Sequence, residues 1–278
     1  MLALPVINIS LDPDDRSRFQ NEIEKTESLK DFEVKMRKKD GTIIDCLVTS
    51  TVWRDGNGNI AGDRGIIRDV TLQKIMERDL KEALVKVQKT AEGIINVVSN
   101  MSELKDPYTA GHQRRVAQLA RVIAEEMGLP GETIEGIRIA GTVHDIGKLA
   151  VPAEILSKPG RLSEMEFSLL KGHPQAGYDI LKTIDFPWPV AQIVLQHHLR
   201  LDGSGYPDIL KGKEIMLEAR IIAVADVVEA MSSHRPYRPS LGIEKALEEI
   251  SQNRGKLYDP DVVDACLTVF RKKGFKFE

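Results

Sequence analysis

All six histidines of the chain follow position 111, and two of them, His197 and His198, are adjacent. Adjacent imidazoles are an unusual choice for an apolar core, and they cannot form a nucleophilic arrangement by themselves. His144 is followed directly by Asp145 at the end of an apolar segment, and His173 precedes a proline. Since neighbouring residues of a helix point about 100° apart, each dipeptide can serve two neighbouring ions. The pattern favours metal ligands, although any one histidine alone is typical of a hydrogen-bonded core residue.

The segment IIAVADVVEAM is predicted to place Asp226 as a single carboxylate on an otherwise apolar helical face. Burying a carboxylate without a partner costs several kcal/mol, so we expect Asp226 to be paired or bound to metal. Imidazoles and carboxylates without thiolates suit iron, manganese or another divalent metal. Because a carboxylate can bridge two ions, Asp145 is the predicted bridging ligand of two metals that hold a water and clamp a phosphoryl group.

Three cations near the predicted ligands could hold a phosphate. Lys148 follows Asp145 by three residues, and Arg235 and Arg238 follow the Asp226 segment. The guanidinium fork matches phosphate oxygens in a bidentate arrangement. Each of these cations alone could equally be a solvated surface residue.

These residues lie in longer motifs that resemble the HD-GYP family, a branch of the HD phosphohydrolases that degrades the bacterial second messenger cyclic di-GMP. In chain order the motifs are HDIGKLAVPAEILSKPGRLSEMEF, HPQAGYDIL, HHLRLDGSGYP, ARIIAVADVVEAMSSHRPYR and YDPDVVDA, and the resemblance covers about residues 100 to 273. It implies an all-helical HD fold. The metal ligands that it implies are His112, His144, Asp145, His173, His197, His198 and Asp226.

The resemblance also implies substrate contacts and two departures from the family pattern. Lys148, Arg235 and Arg238 would hold substrate phosphates, while Gly205, Tyr206 and Pro207 would border the site and contact diguanylate cyclase domains. Tyr108 stands where some members carry a glutamate associated with a third metal, so we expect a centre with two ions, iron or manganese. Leu199 stands where the family usually has a glutamate, and the loss of that outer carboxylate counts against turnover more than against metal binding.

Three hypotheses for the function follow. The first is a metal-dependent phosphodiesterase that opens cyclic di-GMP to pGpG and perhaps continues to GMP, with Asp145 and Lys148 as catalytic residues and Lys148 as a candidate proton donor. The second is a catalytically weak signalling module that binds metal or cyclic di-GMP and regulates a partner protein. The third keeps the chemistry and changes the substrate to another cyclic dinucleotide.

The elements that must position these residues fall into three parts, with boundaries at 1–70, 71–104 and 105–278. From position 105 onward the sequence predicts only helices separated by glycine and proline turns, and LSEME at 162–166 is a capping box. The predicted helices are 107–128, 131–146, 163–183, 188–199, 215–232, 241–254 and 259–273. The fold class is therefore mainly α.

Residues 32–69 predict three antiparallel strands, with hairpin turns at Lys39–Gly41 and Asp55–Gly58. This region resembles the C-terminal half of a PAS sensor domain. Residues 1–31 are too short for the rest of that fold, so we favour a small β-rich dimerisation or capping module without a ligand.

Residues 71–104 carry apolar side chains at alternating spacings of four and three, at Leu80, Leu84, Val87, Ala91, Ile94, Val98 and Met101. This spacing is typical of a two-stranded coiled coil, and it predicts a homodimer through residues 75–104. The alternative is an amphipathic helix that lies on its own domain.

Composition narrows the class of protein. With 42% hydrophobic residues, 29% charged residues and a net charge of −3, the chain is typical of a globular protein with no general attraction for a nucleic acid polymer. Cys46 and Cys266 are far apart and favour two reduced thiols. We expect neither a signal peptide nor a membrane segment, and therefore a cytoplasmic protein.

Overall fold

The computed structural model describes residues 13–106, 111–207, 210–233 and 240–277. The chain divides into two compact units, residues 1–89 and 90–278. The division falls inside one helix, so the predicted three-part domain organisation stays a prediction. Among the described residues, no helix combines the length and the apolarity that a bilayer crossing requires.

The first unit contains helix α1 (Pro13–Thr26) and strands β1 (Ser28–Arg37), β2 (Ile43–Arg54) and β3 (Ile60–Asp69). The strands pair antiparallel in the order β1-β2-β3, as the hairpin signals predicted. Gly41 and Gly58 adopt φ values of +89° and +83°, which the two turns require and other residues rarely adopt. Helix α1 was not predicted, and its Phe19 packs on the small core of the sheet.

Alternation along β1 determines which face of the sheet is buried. Phe32, Val34 and Met36 are buried, and they form one cluster with Cys46 and Val48 of β2. Every residue of β3 is exposed. The resemblance of this unit to a PAS domain stays a prediction.

Helix α2 (Thr71–Lys105) matches the predicted linker helix. The remaining helices are α3 (His112–Glu126), α4 (Gly131–Val143), α5 (Ala153–Leu156), α6 (Glu164–Lys171), α7 (His173–Leu181), α8 (Val190–Gln196), α9 (Leu217–Ser232), α10 (Ile243–Gln252) and α11 (Pro260–Arg271). Short 3-10 turns span Ile146–Ala150 and Gly212–Glu214. The fold class is mainly α, as predicted.

The predicted helix 163–183 is two helices, α6 and α7, which is a correction. Pro174 lacks the N–H that a continuous helix would need, and it sits in the first turn of α7 instead. The predicted capping box is present: the Ser163 hydroxyl accepts from the Glu166 N–H, and the Glu166 carboxylate accepts from the Ser163 N–H.

Helix α9 lies at the centre of the second unit and carries two of the acidic side chains described below. Its apolar residues Ile221, Ile222, Val224 and Val228 are fully buried, which is expected of a helix covered by other helices rather than by solvent. Helices α3, α4, α8, α10 and α11 all pack against α9. This packing fixes the acidic residues of α9 against the segments that bear the histidines.

Candidate metal centre

The structure brings the seven predicted ligands together. In one group, ligand atoms of Asp145, His173, His197 and His198 lie within 4.8 Å of one another, and in a second group those of His112, His144 and Asp145 do so. Asp226 joins the second group, because its Oδ1 is 3.2 Å from the His112 Nε2 and 4.0 Å from the His144 Nε2. Asp145 belongs to both groups.

Three of the histidines are oriented by the same local device. His144, His173 and His197 each lie just beyond the end of a helix, where the last carbonyls have no partner within the helix. Their Nδ1 atoms lie 2.8, 2.7 and 2.6 Å from the carbonyl oxygens of the residues three positions earlier. A carbonyl can only accept, so Nδ1 must carry the proton, and the lone pair of a neutral ring is left on Nε2. This tautomer presents Nε2 as a metal ligand.

His112, the first residue of α3, is held by a carboxylate that the sequence analysis missed. Its Nδ1 contacts the carboxylate of Glu229, which is fully buried on α9. Glu229 also accepts from the Arg115 Nε at 2.7 Å and from the Ser233 hydroxyl at 2.6 Å. A histidine that ligates a metal through one nitrogen commonly donates the other N–H to a carboxylate.

Asp226 is therefore not the single carboxylate on its helical face, and that prediction was wrong. Glu229 follows it by three residues, so the two side chains lie on the same side of α9. The spacing was visible in the sequence, but a glutamate in the last part of a helix is usually solvated. Only the packing around α9 shows that Glu229 is buried.

Burial lowers the pKa of some histidines of the centre, whereas nearby carboxylates raise the pKa of another. Burial lowers the pKa of His144, and burial together with His144 and His173 lowers the pKa of His197 to about 3. Burial would also lower the pKa of His112, but hydrogen bonds to Asp226 and Glu229 outweigh it and raise that pKa to about 9. The His144 and His197 rings are thus neutral, as metal ligands must be.

The two aspartates remain ionised despite burial. Burial by itself would raise the pKa of Asp145, yet the charges of Lys148 and the neighbouring histidines hold it well below the ordinary value. The Lys148 Nζ lies 2.6 Å from the Asp145 Oδ2. Burial is likewise outweighed at Asp226, where the hydrogen bond and charge of His112 keep the pKa well below the ordinary value. The centre therefore combines the neutral imidazoles of His144 and His197 and a protonated His112 with two anionic carboxylates.

One buried atom tests whether these residues suit a metal. The His144 Nε2 has no hydrogen-bond partner among the described residues, although the Asp145 Oδ2 lies 3.5 Å away. An unsatisfied buried nitrogen is costly in a native protein. A cation between the imidazole and the carboxylates would satisfy it, so the cluster could bind a metal.

The GYP loop, which consists of Gly205, Tyr206 and Pro207, closes the centre on one side. The centroids of the Tyr206 and His198 rings lie 4.7 Å apart. The backbone N–H of Tyr206 donates to the His198 carbonyl at 3.3 Å. A side chain at Gly205 would place its Cβ 2.3 Å from the same carbonyl oxygen. Gly205 therefore permits the close approach of the loop to His198 and Leu199.

Leu199 lies in the main hydrophobic core and is only 4% exposed. A glutamate at this position would be buried among apolar side chains. The leucine is thus a packed core residue of this chain rather than a gap in the metal centre.

Of the predicted phosphate ligands, Lys148 lines the cleft at the metal centre, which has a volume of about 210 Å³. Lys148 also lines an adjoining cleft of about 490 Å³. Arg235 and Arg238 lie outside the described residues, and so does Tyr108.

The C-terminal part of α2 also contacts the ligand-bearing segments, which the sequence analysis did not predict. The Ser102 hydroxyl donates to the Asp145 carbonyl at 3.1 Å. The Glu103 carboxylate accepts from the N–H groups of Gly111 at 2.8 Å and Gln113 at 3.2 Å, which flank His112. A carboxylate at the start of a helix is stabilised by the unpaired N–H groups there.

Comparisons with known proteins agree with this geometry. Residues 96–262 match the HD domain family. The match spans more than half of the chain, which therefore belongs to the HD domain family, as the sequence predicted.

Three curated relatives each align with about two thirds of the chain. The chain is 40% identical over 194 residues to the cyclic di-GMP phosphodiesterase response regulator RpfG of Xanthomonas campestris, covering 69% of this chain and 51% of that protein. It is 41% identical over 203 residues to a cyclic di-GMP phosphodiesterase of Thermotoga maritima, covering 68% and 55%. It is 37% identical over 181 residues to the 3'3'-cGAMP-specific phosphodiesterase 3 of Vibrio cholerae, covering 65% and 38%. The chain spans about half the length of the first two relatives.

Proposed function

We propose that the protein is a metal-dependent phosphodiesterase that hydrolyses cyclic di-GMP to pGpG, with further cleavage to GMP as a second step. The observation that supports it most is the position of Asp145 between the two ligand groups. Its Oδ1 lies 3.3 Å from the His173 Nε2, and its Oδ2 lies 3.5 Å from the His144 Nε2. A carboxylate in this position can bridge two ions, and two relatives named as cyclic di-GMP phosphodiesterases support the substrate.

The ligand set suits two divalent ions, with iron and manganese as the proposed metals. His173, His197 and His198 would hold one ion, and His112, His144 and Asp226 the other, with Asp145 shared. When bound, a pair of such cations acidifies a water molecule and neutralises charge on the phosphoryl oxygens.

The remaining steps belong to the side chains around the centre. Lys148 would contact a phosphoryl oxygen and donate a proton to the leaving sugar oxygen, because its ammonium lines the cleft beside Asp145. Glu229 would hold His112 in the orientation that presents Nε2. Arg235 and Arg238 would add phosphate contacts, as the resemblance implies.

Product analysis tests the proposal directly. The full chain would be purified anaerobically with Fe(II) or Mn(II), its metal content measured, and its products from cyclic di-GMP separated by chromatography. We expect about two ions per chain and the formation of pGpG. Asp145→Asn should abolish product formation, whereas Asp185→Asn, which alters an exposed carboxylate outside the centre, should not.

Three results would contradict the proposal in different ways. Tight binding of cyclic di-GMP without product would instead support the signalling module. Faster cleavage of 3'3'-cGAMP would assign the substrate named for the Vibrio cholerae relative. Three ions per chain would refute the two-metal centre.

We further propose that the chain forms a homodimer through residues 75–104 of α2. Leu80, Leu84, Val87 and Ile94 follow the coiled-coil spacing and are 62%, 56%, 65% and 60% exposed. Val98 instead packs on the core of the second unit, so the amphipathic alternative holds at that position. A second copy of the same helix would cover the exposed seam.

Light scattering with seam variants tests the dimer. We expect a dimer for the unaltered chain at micromolar concentration and a monomer for Leu84→Glu, because a buried charge opposes helix pairing. Lys89→Glu lies on the opposite side of the helix and should leave the dimer intact. A monomer for the unaltered chain would rule the dimer out.

We also propose that the GYP loop contacts a diguanylate cyclase domain, as the resemblance implies. Titration calorimetry with such a domain would test it. The absence of binding heat at high micromolar concentration would refute the contact.

A further inference from the structure

A second cleft adjoins the metal centre and contains none of its predicted histidine or aspartate ligands. It has a volume of about 490 Å³ and lies between the segment 155–164 and helix α6. Lys148 and Leu170 line both this cleft and the smaller one at the metal centre. The two clefts therefore share a wall.

Size indicates what the second cleft would receive. Sites for drug-sized ligands have volumes of roughly 300–1,000 Å³. The cleft at the metal centre, at about 210 Å³, has room for a phosphodiester but not for both nucleosides of a cyclic dinucleotide. A ligand with its phosphate at the metals would extend past Lys148 and Leu170 into the larger cleft.

The side chains that line the larger cleft suit a purine with an oxo group. Arg161 supplies parallel N–H donors, and Glu164 supplies a carboxylate at the start of α6. The arginine fork pairs with O6 and N7 of guanine, whereas adenine presents an amino donor in place of O6. The carboxylate can accept from the N1–H and amino groups of guanine, which adenine lacks at those positions.

An aromatic ring completes the lining. Phe167 is 43% exposed, and its ring contacts Tyr206, which lines the smaller cleft, with centroids 6.5 Å apart. A nucleobase packs favourably against such an exposed ring.

The wall that carries Arg161 is held in place by Glu166. The Glu166 carboxylate accepts from the Lys158 Nζ at 2.8 and 2.7 Å and from the Ser163 N–H at 2.7 Å. These bonds close the segment between Lys158 and Ser163, so its shape is set before a ligand arrives.

We propose that Arg161, Glu164 and Phe167 form a guanine subsite, which receives one base of a cyclic dinucleotide whose phosphodiester lies at the metal centre. This inference rests on the proposed function, and it names the part of the site that distinguishes guanine from adenine.

Kinetics with the Mn(II)-loaded full chain test the subsite. In Arg161→Ala, we expect the KM for cyclic di-GMP to rise about 10-fold to 100-fold and the preference over cyclic di-AMP to shrink by a similar factor. The rise in KM caused by Arg161→Ala should be larger for cyclic di-GMP than for bis(p-nitrophenyl) phosphate, a diester without a purine. Phe167→Leu keeps the apolar volume but removes the ring, and should raise the KM about 10-fold. Arg271→Ala, an exposed arginine on α11, is the matched control.

A binding measurement separates the subsite from the proposed function. Titration calorimetry with GMP and AMP does not depend on turnover, and we expect a preference for GMP that Arg161→Ala removes. If the chain cleaves cyclic di-GMP while Arg161→Ala keeps its KM and base preference, the subsite is wrong and the proposed function stands. If no cyclic dinucleotide is cleaved but the preference for GMP depends on Arg161, the subsite stands and the proposed function fails. Equal binding of GMP and AMP by the unaltered chain would overturn the subsite.

Discussion

Glu229→Gln tests a residue that orients a proposed metal ligand, His112, without changing the ligand itself. The Glu229 side chain is 1% exposed and contacts the His112 Nδ1 and the Arg115 Nε. Glutamine has nearly the same shape, but one of its terminal groups donates. Because both His112 and Arg115 donate, the amide must place a donor against one of them.

The expected magnitude follows from these contacts. Loss of an outer carboxylate partner typically reduces metal affinity about 10-fold to 100-fold, which is about 1.4–2.8 kcal/mol. A buried donor facing another donor destabilises the fold by about 1–3 kcal/mol. Without Glu229, the pKa of His112 should also fall from about 9, since one of the two carboxylates that raise it is gone.

The assay is competition for Mn(II) against a chelator of known affinity, with denaturant unfolding measured in parallel. Glu125→Gln is the matched control, because Glu125 lies on α3 and accepts from Arg121 at 2.8 Å on an exposed surface. The control should bind metal as the unaltered chain does. A folded Glu229→Gln protein with affinity within about twofold of the unaltered chain would refute the role of Glu229, since the expected loss is at least about 10-fold.

Three further predictions concern the same centre. In metal-free protein, the lowered pKa of His197 makes the ring contribute to the free energy of unfolding above pH 6.5, and this contribution is lost as the pH falls from 6.5 towards about 3. His197→Gln should therefore flatten the dependence of the free energy of unfolding on pH in that range. An unchanged slope would contradict the argument that burial lowers this pKa. Glu103→Gln should lower stability by about 1 kcal/mol and weaken Mn(II) binding, because the N–H groups flanking the first ligand lose a charged acceptor; thermal unfolding and chelator competition measure both effects. Gly205→Ala should reduce both stability and metal content, since its Cβ would meet the His198 carbonyl at 2.3 Å, whereas Gly131→Ala, with open space around its Cβ, should change neither.

The residue types of the centre could be predicted from the sequence, because imidazoles and carboxylates without thiolates have few other uses in an apolar helical segment. Glycine and proline turns likewise predicted most helices of the second unit, and hairpin signals predicted the three strands of the first. What could not be predicted is which charged residues are buried. Glu229 resembles a surface glutamate in the sequence, and only the helices packed around α9 enclose it.

Leu199 is the opposite case. Where the family usually has a glutamate, Leu199 indicates a missing polar group, and the sequence therefore counts against turnover. In the structure it is buried in the core of the second unit. Whether a polar residue is missing depends on the volume and polarity of its surroundings, and a single sequence does not give these.

The ends of helices, more than their faces, orient the histidines of this centre. His144, His173 and His197 each follow the end of a helix, and each Nδ1 meets the carbonyl three residues earlier. Each bond gives a carbonyl at the end of a helix a donor, and it also fixes the tautomer that turns the Nε2 lone pair towards Asp145. The same interaction thus stabilises the end of the helix and prepares the ligand. The prediction of a helix continuing to 146 or 199 hid this pattern, because it placed His144 and His197 inside helices whose carbonyls would already be paired.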